Sequence, residues 1–468
     1  MSPELHGTAG TAGTDLDVAV IGAGIAGLAT AHRLTREGRS VQVFEASDAV
    51  GGRMRTLRRD GYILDLGTET LAASGYPSTW KLLDEVGVSP VDVLPVHSAV
   101  GVWRDGRAHP WVGHPLGGIT GAGLSLRGRV HMTRMVGRLL REAGRYDVDR
   151  PEETPLGDTT VAEFADGYPA ELHDYLLQPA VGTGFGWLPH RSAMGPLVSS
   201  MISTRGIFRW RTYRDGMDML ARTIAQQVPV HTSRPVAEVV PTGGGVRVVF
   251  ADGGELTARQ VVLAVPAPLA ARLHPAMPAD EAEYVRACQY APMARVSCLL
   301  DRPLEPRRGR LEPHVYALLI PQTEDDVLGG LTVEHNKAAN RAPRGRGQIT
   351  LLPAAARTAE LLEEPDDAVV RTLLAHAERY VPGIRDACRD AVLHRFPYGS
   401  IEAGPAALRA RPAFVRRPAR AVEYAGDWLA LRASSEGAVH SATRAAERVL
   451  THRATAGRAP RLAAHRTL

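Results

Sequence analysis

The sequence predicts an α/β protein: a parallel-sheet domain assembled from separated pieces of the chain, with a mixed α+β domain inserted between them. Three observations carry this. Residues 17–21 (DVAVI) form an apolar run that leads into Gly22-Ala23-Gly24-Ile25-Ala26-Gly27, a helical stretch over 24–37 and a second strand at 40–44. Strand, glycine turn, helix and strand in that order make one parallel-sheet unit. Residues 260–265 (QVVLAV) are a continuous apolar run of the kind found in a central strand covered on both faces. Residues 421–425 (AVEYA) read as another strand, and the helix predicted over 435–450 gathers Val439, Ala442, Ala446 and Val449 on one packed face.

Periodicity and turn chemistry give the remaining elements. Residues 228–240, 246–250 and 255–257 read as short strands with turns at 243–245 and 252–254. Residues 130–142 and 161–177 carry helical spacing, 294–300 and 327–332 read as strands, and 368–380 as a helix. The layout predicts a parallel-sheet domain from 1–75, 211–275 and 418–452. A helical insertion at 76–210 and a sheet-bearing insertion at 276–417 would build the second domain. Residues 1–14 and 453–468 are expected to be loose tails.

Composition excludes several functions. The 468 residues are 44% hydrophobic and 23% charged, a globular balance. With 55 basic and 51 acidic residues the net charge is only +4, which gives no basis for a nucleic-acid partner. Lys81 and Lys337 are the only lysines, so arginine supplies nearly all the positive charge, a bias without functional meaning by itself. Cys288, Cys298 and Cys388 are widely spaced and no HExxH occurs, so neither a disulfide framework nor a metal site is expected. The start of the chain lacks the pattern of a signal peptide, and there is no run of 18 apolar residues. A cytoplasmic protein is the expectation. In 130–142, Arg134, Arg138 and Arg141 lie beside Met132, Met135, Val136, Leu139 and Leu140. A solvated face on an ordinary helix is expected there in preference to peripheral membrane contact.

The residues that carry chemistry fall into three motifs. In the GxGxxG at 22–27, Gly22 permits a tight turn, Gly24 admits a pyrophosphate to the backbone, and Gly27 lets the helix pack on the strand. The helix N-terminus would face the phosphates with its partial positive charge. Glu45, 23 residues after Gly22, stands where an acid holds ribose hydroxyls, which disfavours a 2′-phosphate. Next come Gly51-Gly52-Arg53 and Leu64-Asp65-Leu66-Gly67-Thr68, where paired glycines let a bulky anion approach and Arg53 offsets its charge. Near the C-terminus, Gly426-Asp427 ends a strand where a carboxylate can meet polyol hydroxyls. The helix starting near Glu436 can point its N-terminus at a flavin's pyrimidine edge. Glu436 reads equally as a carboxylate capping its own helix. Residues 182–186 (GTGFG) follow no strand and are not read as a second nucleotide loop.

Together these stretches resemble the FAD-dependent amine oxidase and protoporphyrinogen oxidase superfamily, in order along nearly the whole chain: GAGIAGL, VFEAS, GGRMRT, LDLGTET, SRPVAEV, VVLAVP, YAGDW and SSEGAVHSA. The resemblance implies a discontinuous Rossmann-type FAD-binding domain. It implies FAD held by Gly22, Gly24, Ile25, Ala26, Gly27, Glu45, Ala46, Gly52, Arg53, Gly426, Asp427, Glu436, Gly437 and Ala438. The backbone of Val236 would lie near the adenine, and Gly67 and Thr68 beside the isoalloxazine ring. The chain departs from the amine oxidases it resembles. Arg295 stands at or beside the place of their lysine near flavin N5, and Ser434 stands where a cage tyrosine precedes the EGA motif. No cysteine follows Cys388 to attach a flavin, so non-covalent FAD is expected. Residues 102–106 with Pro110, Phe164 with 182–187, 213–220 and 334–343 are similar to the protoporphyrinogen-oxidase-like branch.

The activity implied is that of an FAD-dependent oxidase or dehydrogenase. It would remove a hydride from a C–H bond of a cyclic or planar small molecule to form C=C or C=N, with oxygen or another acceptor taking the electrons. The cofactor carries such chemistry and the protein supplies position, so no acid–base pair is singled out. Arg295 is the one candidate pocket residue, facing an acidic substrate or lying on a strand edge. Trp187, Trp210, Tyr213, Tyr398 and Trp428 are candidates for a pocket wall, with core packing the commoner fate of such residues. Amine or amino-acid oxidation, and a flavin-dependent isomerisation, are the competing activities.

Overall fold

Two seven-stranded sheets organise the chain, and each is built from sequence-distant pieces. The computed structural model describes residues 16–111, 117, 121, 123–206 and 209–456. The first sheet is ordered Val230–His231, Val41–Phe44, Leu16–Ile21, Glu255–Leu263, Gly245–Phe250 and Val236–Thr242, and Val422–Tyr424 also pairs with Glu255–Leu263. The pairs made by Leu16–Ile21, Val41–Phe44 and Val422–Tyr424 are parallel, while the chain between Val236 and Leu263 folds as an antiparallel meander. Side chains alternate across the first strand. Val18 and Val20 pack with the helices Ile25–Arg36 and Ser435–Ala456, whereas Ala19 and Ile21 face the other core.

The segment predicted as two strands, 255–257 and 260–265, is one strand, Glu255–Leu263. Its first half pairs with Gly245–Phe250, its last three residues with Val422–Tyr424, and its stretch from Ala258 to Leu263 with Leu16–Ile21, which carries the strand across the gap between the first two. The helix expected over 435–450 continues to Ala456, through the first residues of the expected tail. Residues 1–14 and the remainder of 453–468 lie outside the described residues.

The second sheet runs Cys388–Glu402, Gln289–Leu300, Gly347–Pro353, Leu328–Val333, Val315–Leu319, Ala99–Arg104 and Arg107–Pro110. All neighbours are antiparallel except Val315–Leu319 with Ala99–Arg104. Leu361, Val369 and Leu373, from the helices Ala355–Leu361 and Asp366–Ala377, join Val296, Cys298 and Leu351 in its core.

The helix expected over 161–177 is broken. Val161–Ala165 ends before Gly167 and Pro169, and the chain resumes as Ala170–Leu172, a π-helical turn His173–Leu177 and Gln178–Phe185. Glycine and proline interrupt the ladder of amide bonds that a single helix needs. Gly182–Gly186 is the end of the last of these pieces, closed by Gly186 at φ +70°. The helix expected over 130–142 is Leu126–Arg141, begun a turn earlier because the Ser125 hydroxyl accepts from the Gly128 N–H at 3.0 Å. Among the described residues no helix is long and apolar enough to cross a membrane, and no His, Cys, Asp and Glu cluster could hold a metal ion.

Candidate active site

The strand Leu16–Ile21 ends at Gly22, whose φ of +105° suits glycine alone; a Cβ there would stand 2.7 Å from the Ala264 carbonyl oxygen. A Cβ on Gly27 would overlap the Gly22 carbonyl, so the helix sits directly on the strand end. Gly24 differs: nothing lies within 4 Å of its missing Cβ, which leaves open space over the helix N-terminus. Gly24 provides no side-chain cap, and the N–H groups of Ala26 and Gly27 have no hydrogen-bond partner among the described residues. Such an end is polarised to receive an anion. The second glycine turn closes on it, with the Gly51 N–H donating to Ala23 at 2.9 Å and Gly52 at φ +53°.

Glu45 braces the same loop. One carboxylate oxygen accepts from the Ala23 N–H at 2.7 Å, and the other from the Ser47 N–H at 2.9 Å and hydroxyl at 2.7 Å. Ala46 is exposed beside it. The Ser233 and Arg234 N–H groups donate to Ser47 and Glu45 at 2.8 Å each, which brings the start of Val236–Thr242 to this edge. Arg53 and Asp427 were expected at separate points along the ligand. They form a bidentate ion pair, 2.8 Å on each arm, and Arg53 also reaches the Gly399 carbonyl at 3.3 Å.

The C-terminal motif divides its labour. The Glu436 carboxylate is buried and accepts from the Ser78 N–H at 3.0 Å and from the Thr79 N–H and hydroxyl at 2.8 Å. It therefore caps the helix Pro77–Glu85 across the interface, and not its own helix. Ser434 caps the C-terminal helix: its hydroxyl accepts from the Gly437 N–H at 3.1 Å, and its carbonyl from Ala438 at 3.1 Å. A Cβ on Gly437 would overlap the Arg432 carbonyl. Gly426 is held by its N–H donating to Ser441 at 2.8 Å.

Gly67 and Thr68 are pinned between two motifs. The Thr68 N–H donates to Arg53 at 2.8 Å, and Arg295 donates to the Gly67 carbonyl at 2.8 Å. Arg295 is only 5% exposed and also pairs with Glu69. The expected pairing with an acidic substrate is thus corrected, because a carboxylate of the chain already answers this guanidinium. Around it Tyr316 donates to Glu69 at 2.9 Å, Thr332 bridges Glu69 and Glu334, and Lys337 pairs with Asp65 at 3.0 Å and with Glu334 at 2.5 Å. Arg341 adds a third cation, 3.3 Å from Asp65. Three cations meet three carboxylates, so the buried group is balanced in charge. The Arg295 Nε has no hydrogen-bond partner among the described residues.

Directly across the sheet from Arg295 stands His394, and two residues on, Phe396 approaches the missing Cβ of Gly67 to 3.2 Å. The His394 and Phe396 rings meet edge to face at 4.3 Å. Burial, then the neighbouring Arg55 and Arg295 charges, hold the imidazole pKa below its usual 6.5. The same strand continues to Tyr398 and a cavity of about 570 Å³ lined by Arg191, Pro268, Cys288, Gln289, Tyr290, Pro397 and Tyr398. The Tyr290 and Tyr398 rings stand 5.8 Å apart at 78°. Burial and the Asp427 charge raise the Tyr290 hydroxyl pKa, and burial pushes the Cys288 thiol up to about 12, so both stay protonated. Of the other candidate wall aromatics, Trp187, Tyr213 and Trp428 are core residues, and Trp210 is half-buried in a small separate sheet.

The profile of the family described as "Flavin containing amine oxidoreductase" matches residues 25–450. The chain belongs to that family. It is similar to protoporphyrinogen oxidase 2, chloroplastic/mitochondrial, of Arabidopsis thaliana, with 30% identity over 167 residues, 35% of this chain and 32% of the relative. The match thus spans about a third of that relative's length. Among solved structures it is similar to cyclohexylamine oxidase from Brevibacterium oxydans IH-35A (TM-score 0.72, 19% identity, covering 94% of this chain and 100% of the other). A putative protoporphyrinogen oxidase from Exiguobacterium sp. 255-15 gives a TM-score of 0.70 at 16% identity, covering 94% and 99%. These structural likenesses give the fold alone, an α/β protein with a Rossmann-type domain.

As a flavin amine oxidoreductase, the protein is an FAD-dependent enzyme, and its residues fit that cofactor. The space over Gly24 and the unanswered N–H groups of Ala26 and Gly27 suit a pyrophosphate, and the unpartnered Arg295 Nε suits a polar ring edge beside Gly67. Sequence reasoning missed His394, Tyr290 and Glu69. Glu69 lies inside the quoted LDLGTET stretch, while Tyr290 and His394 lie on paired strands whose cross-strand neighbours no single window of sequence shows.

Proposed function

We propose that the protein oxidises a C–H bond of a cyclic or planar small molecule to C=C or C=N, using non-covalently bound FAD that oxygen reoxidises. The observation that carries this reading is the engagement of Arg295 by Glu69 and Gly67. The position resembling the amine-oxidase lysine is a structural guanidinium, with a neutral imidazole opposite it. The first sheet with its helices holds FAD, and the second sheet with the helical insertion holds the substrate. FAD, when bound, supplies the hydride acceptor. Gly22, Gly24, Gly27, Gly52 and Arg53 receive the pyrophosphate, Glu45 the ribose and Asp427 the ribityl chain. Tyr290 and Tyr398 give the cavity edge-to-face aromatic walls that orient a flat ring.

Each new double bond costs the substrate one hydride and one proton, and His394 accepts the proton. The cavity's lining contains no carboxylate among the described residues, and its Arg191 is already paired with Glu402 at 2.9 Å, which favours a neutral substrate over a cationic amine. The deciding experiment is anaerobic bleaching of the purified yellow protein with protoporphyrinogen, other reduced cyclic compounds, amines and amino acids. Loss of the oxidised flavin band with the cyclic compounds alone is expected. Bleaching by amines alone would replace this reading with amine oxidation, and a yellow colour that stays with the precipitated chain after acid denaturation would overturn non-covalent binding.

A further inference from the structure

The helix Leu126–Arg141 carries half of the chain's large hydrophobic side chains that stand exposed among the described residues. Leu126 is 70% exposed, Leu140 59%, and Val130 and Val136 42% each. At 3.6 residues per turn these four fall within about 120° of arc, which they share with Arg129, Thr133 and Gly137. The next ~60° of arc carries Arg141, Arg134, Arg127 and Arg138 in that order, and none of the four makes an ion pair among the described residues. The helix itself contains no acidic residue. Its opposite side is the packed one: Met135 is buried, and Met132 and Leu139 pack on the main core. The helix start is anchored independently, since Glu171 accepts from the Ser125 N–H at 2.8 Å and hydroxyl at 2.6 Å while pairing with Arg104.

An ordinary surface helix turns charged residues outward and apolar ones inward. Here an aliphatic stripe faces outward with arginines along one flank, and Arg134, Arg138, Arg141, Glu142 and Tyr168 rim a cavity of about 560 Å³. We propose that this face seats the protein on an anionic phospholipid surface, the aliphatic stripe entering the acyl boundary and the arginines meeting the phosphates. A second copy of the chain would set like charges of this arginine flank against each other across a two-fold contact, whereas a bilayer supplies both apolar depth and opposite charge. The sequence alone favoured a solvated face because it could not separate the inward Met132, Met135 and Leu139 from the outward Val136 and Leu140.

The test is sedimentation of the full-length, FAD-loaded protein with vesicles of phosphatidylcholine alone or mixed with phosphatidylglycerol, at low and raised salt. Binding to the mixed vesicles is expected, at least about tenfold stronger than to phosphatidylcholine and weakening with salt. The double substitution Val136→Glu/Leu140→Glu should abolish it with flavin absorbance and circular dichroism intact, since both residues are exposed. Arg134→Gln/Arg138→Gln/Arg141→Gln should remove the preference for phosphatidylglycerol. Failure to bind mixed vesicles, or equal binding by the glutamate variant, overturns the proposal. So does concentration-dependent dimerisation that the glutamate variant abolishes, which would assign the face to a second copy.

Discussion

Arg295 and Glu69 show how much of the site's rigidity comes from single buried contacts. Removing one partner strands the other charge in a low-dielectric interior, whereas removing both leaves only a packing defect. Glu69→Ala should therefore destabilise the protein by about 3 kcal/mol in denaturant unfolding, while Arg295→Met/Glu69→Met should lose clearly less. His394 is the titrating residue of the site. Because burial and the Arg55 and Arg295 charges depress its folded pKa, the imidazole is neutral at pH 7 and gains its proton only below pH 6.5. A proton acceptor of this kind works above its pKa, so turnover should fall on the acid side. The bound flavin's visible spectrum should show a transition below pH 6.5 that His394→Asn removes. At this scale the motifs legible in the sequence were those that act through backbone: Gly22, Gly24, Gly27 and Gly52. Side-chain destinations were not legible, as Glu436 shows, because its partners Ser78 and Thr79 lie more than 350 residues away.

Among the elements, those with a uniform environment were the readable ones. Leu16–Ile21 and the C-terminal helix have one buried pattern each, and their spacing says so. Cys388–Glu402 was not anticipated, since most of its residues are half-buried and it carries Pro397, so no alternation of apolar and polar residues marks it. Its role is nevertheless large, for it carries His394, Phe396 and Tyr398 past Gly67. The loop before Leu328–Val333 depends in turn on Asp325, which accepts from the Val327 and Leu328 N–H groups at 2.9 Å, from His376 at 3.0 Å and from Tyr380 at 3.1 Å. Burial pushes its pKa up, but the Leu328 N–H, His376 and the Val327 N–H outweigh that and hold it below the usual carboxylate value. A depressed folded pKa stabilises the protein above the unfolded value of about 3.9 and loses that contribution as pH falls through the folded one. Asp325→Asn should lower stability at pH 7 by about 1–3 kcal/mol and flatten its decline in acid, as measured by thermal unfolding against pH.

Taken whole, the molecule sets one edge of the second sheet, the paired strands Gln289–Leu300 and Cys388–Glu402, against Gly67 and along the aromatic-walled cavity. The interleaving was legible because each return to the first sheet announces itself with an apolar strand. The second sheet was legible only in part, since its order depends on pairings between residues 99 and 402 that no local pattern encodes. The near absence of lysine has a practical outcome. Lys337 is wholly enclosed between Asp65 and Glu334, while the side chain of Lys81 is 69% exposed. An amine-reactive dye added to the native protein should mark Lys81 and leave Lys337 unmodified in peptide mass analysis. Reaction at Lys337 would then require the interior beside Gly67 to open, so its slow acylation would serve as a clock for how often the buried ion-pair cluster of Asp65 and Glu334 comes apart.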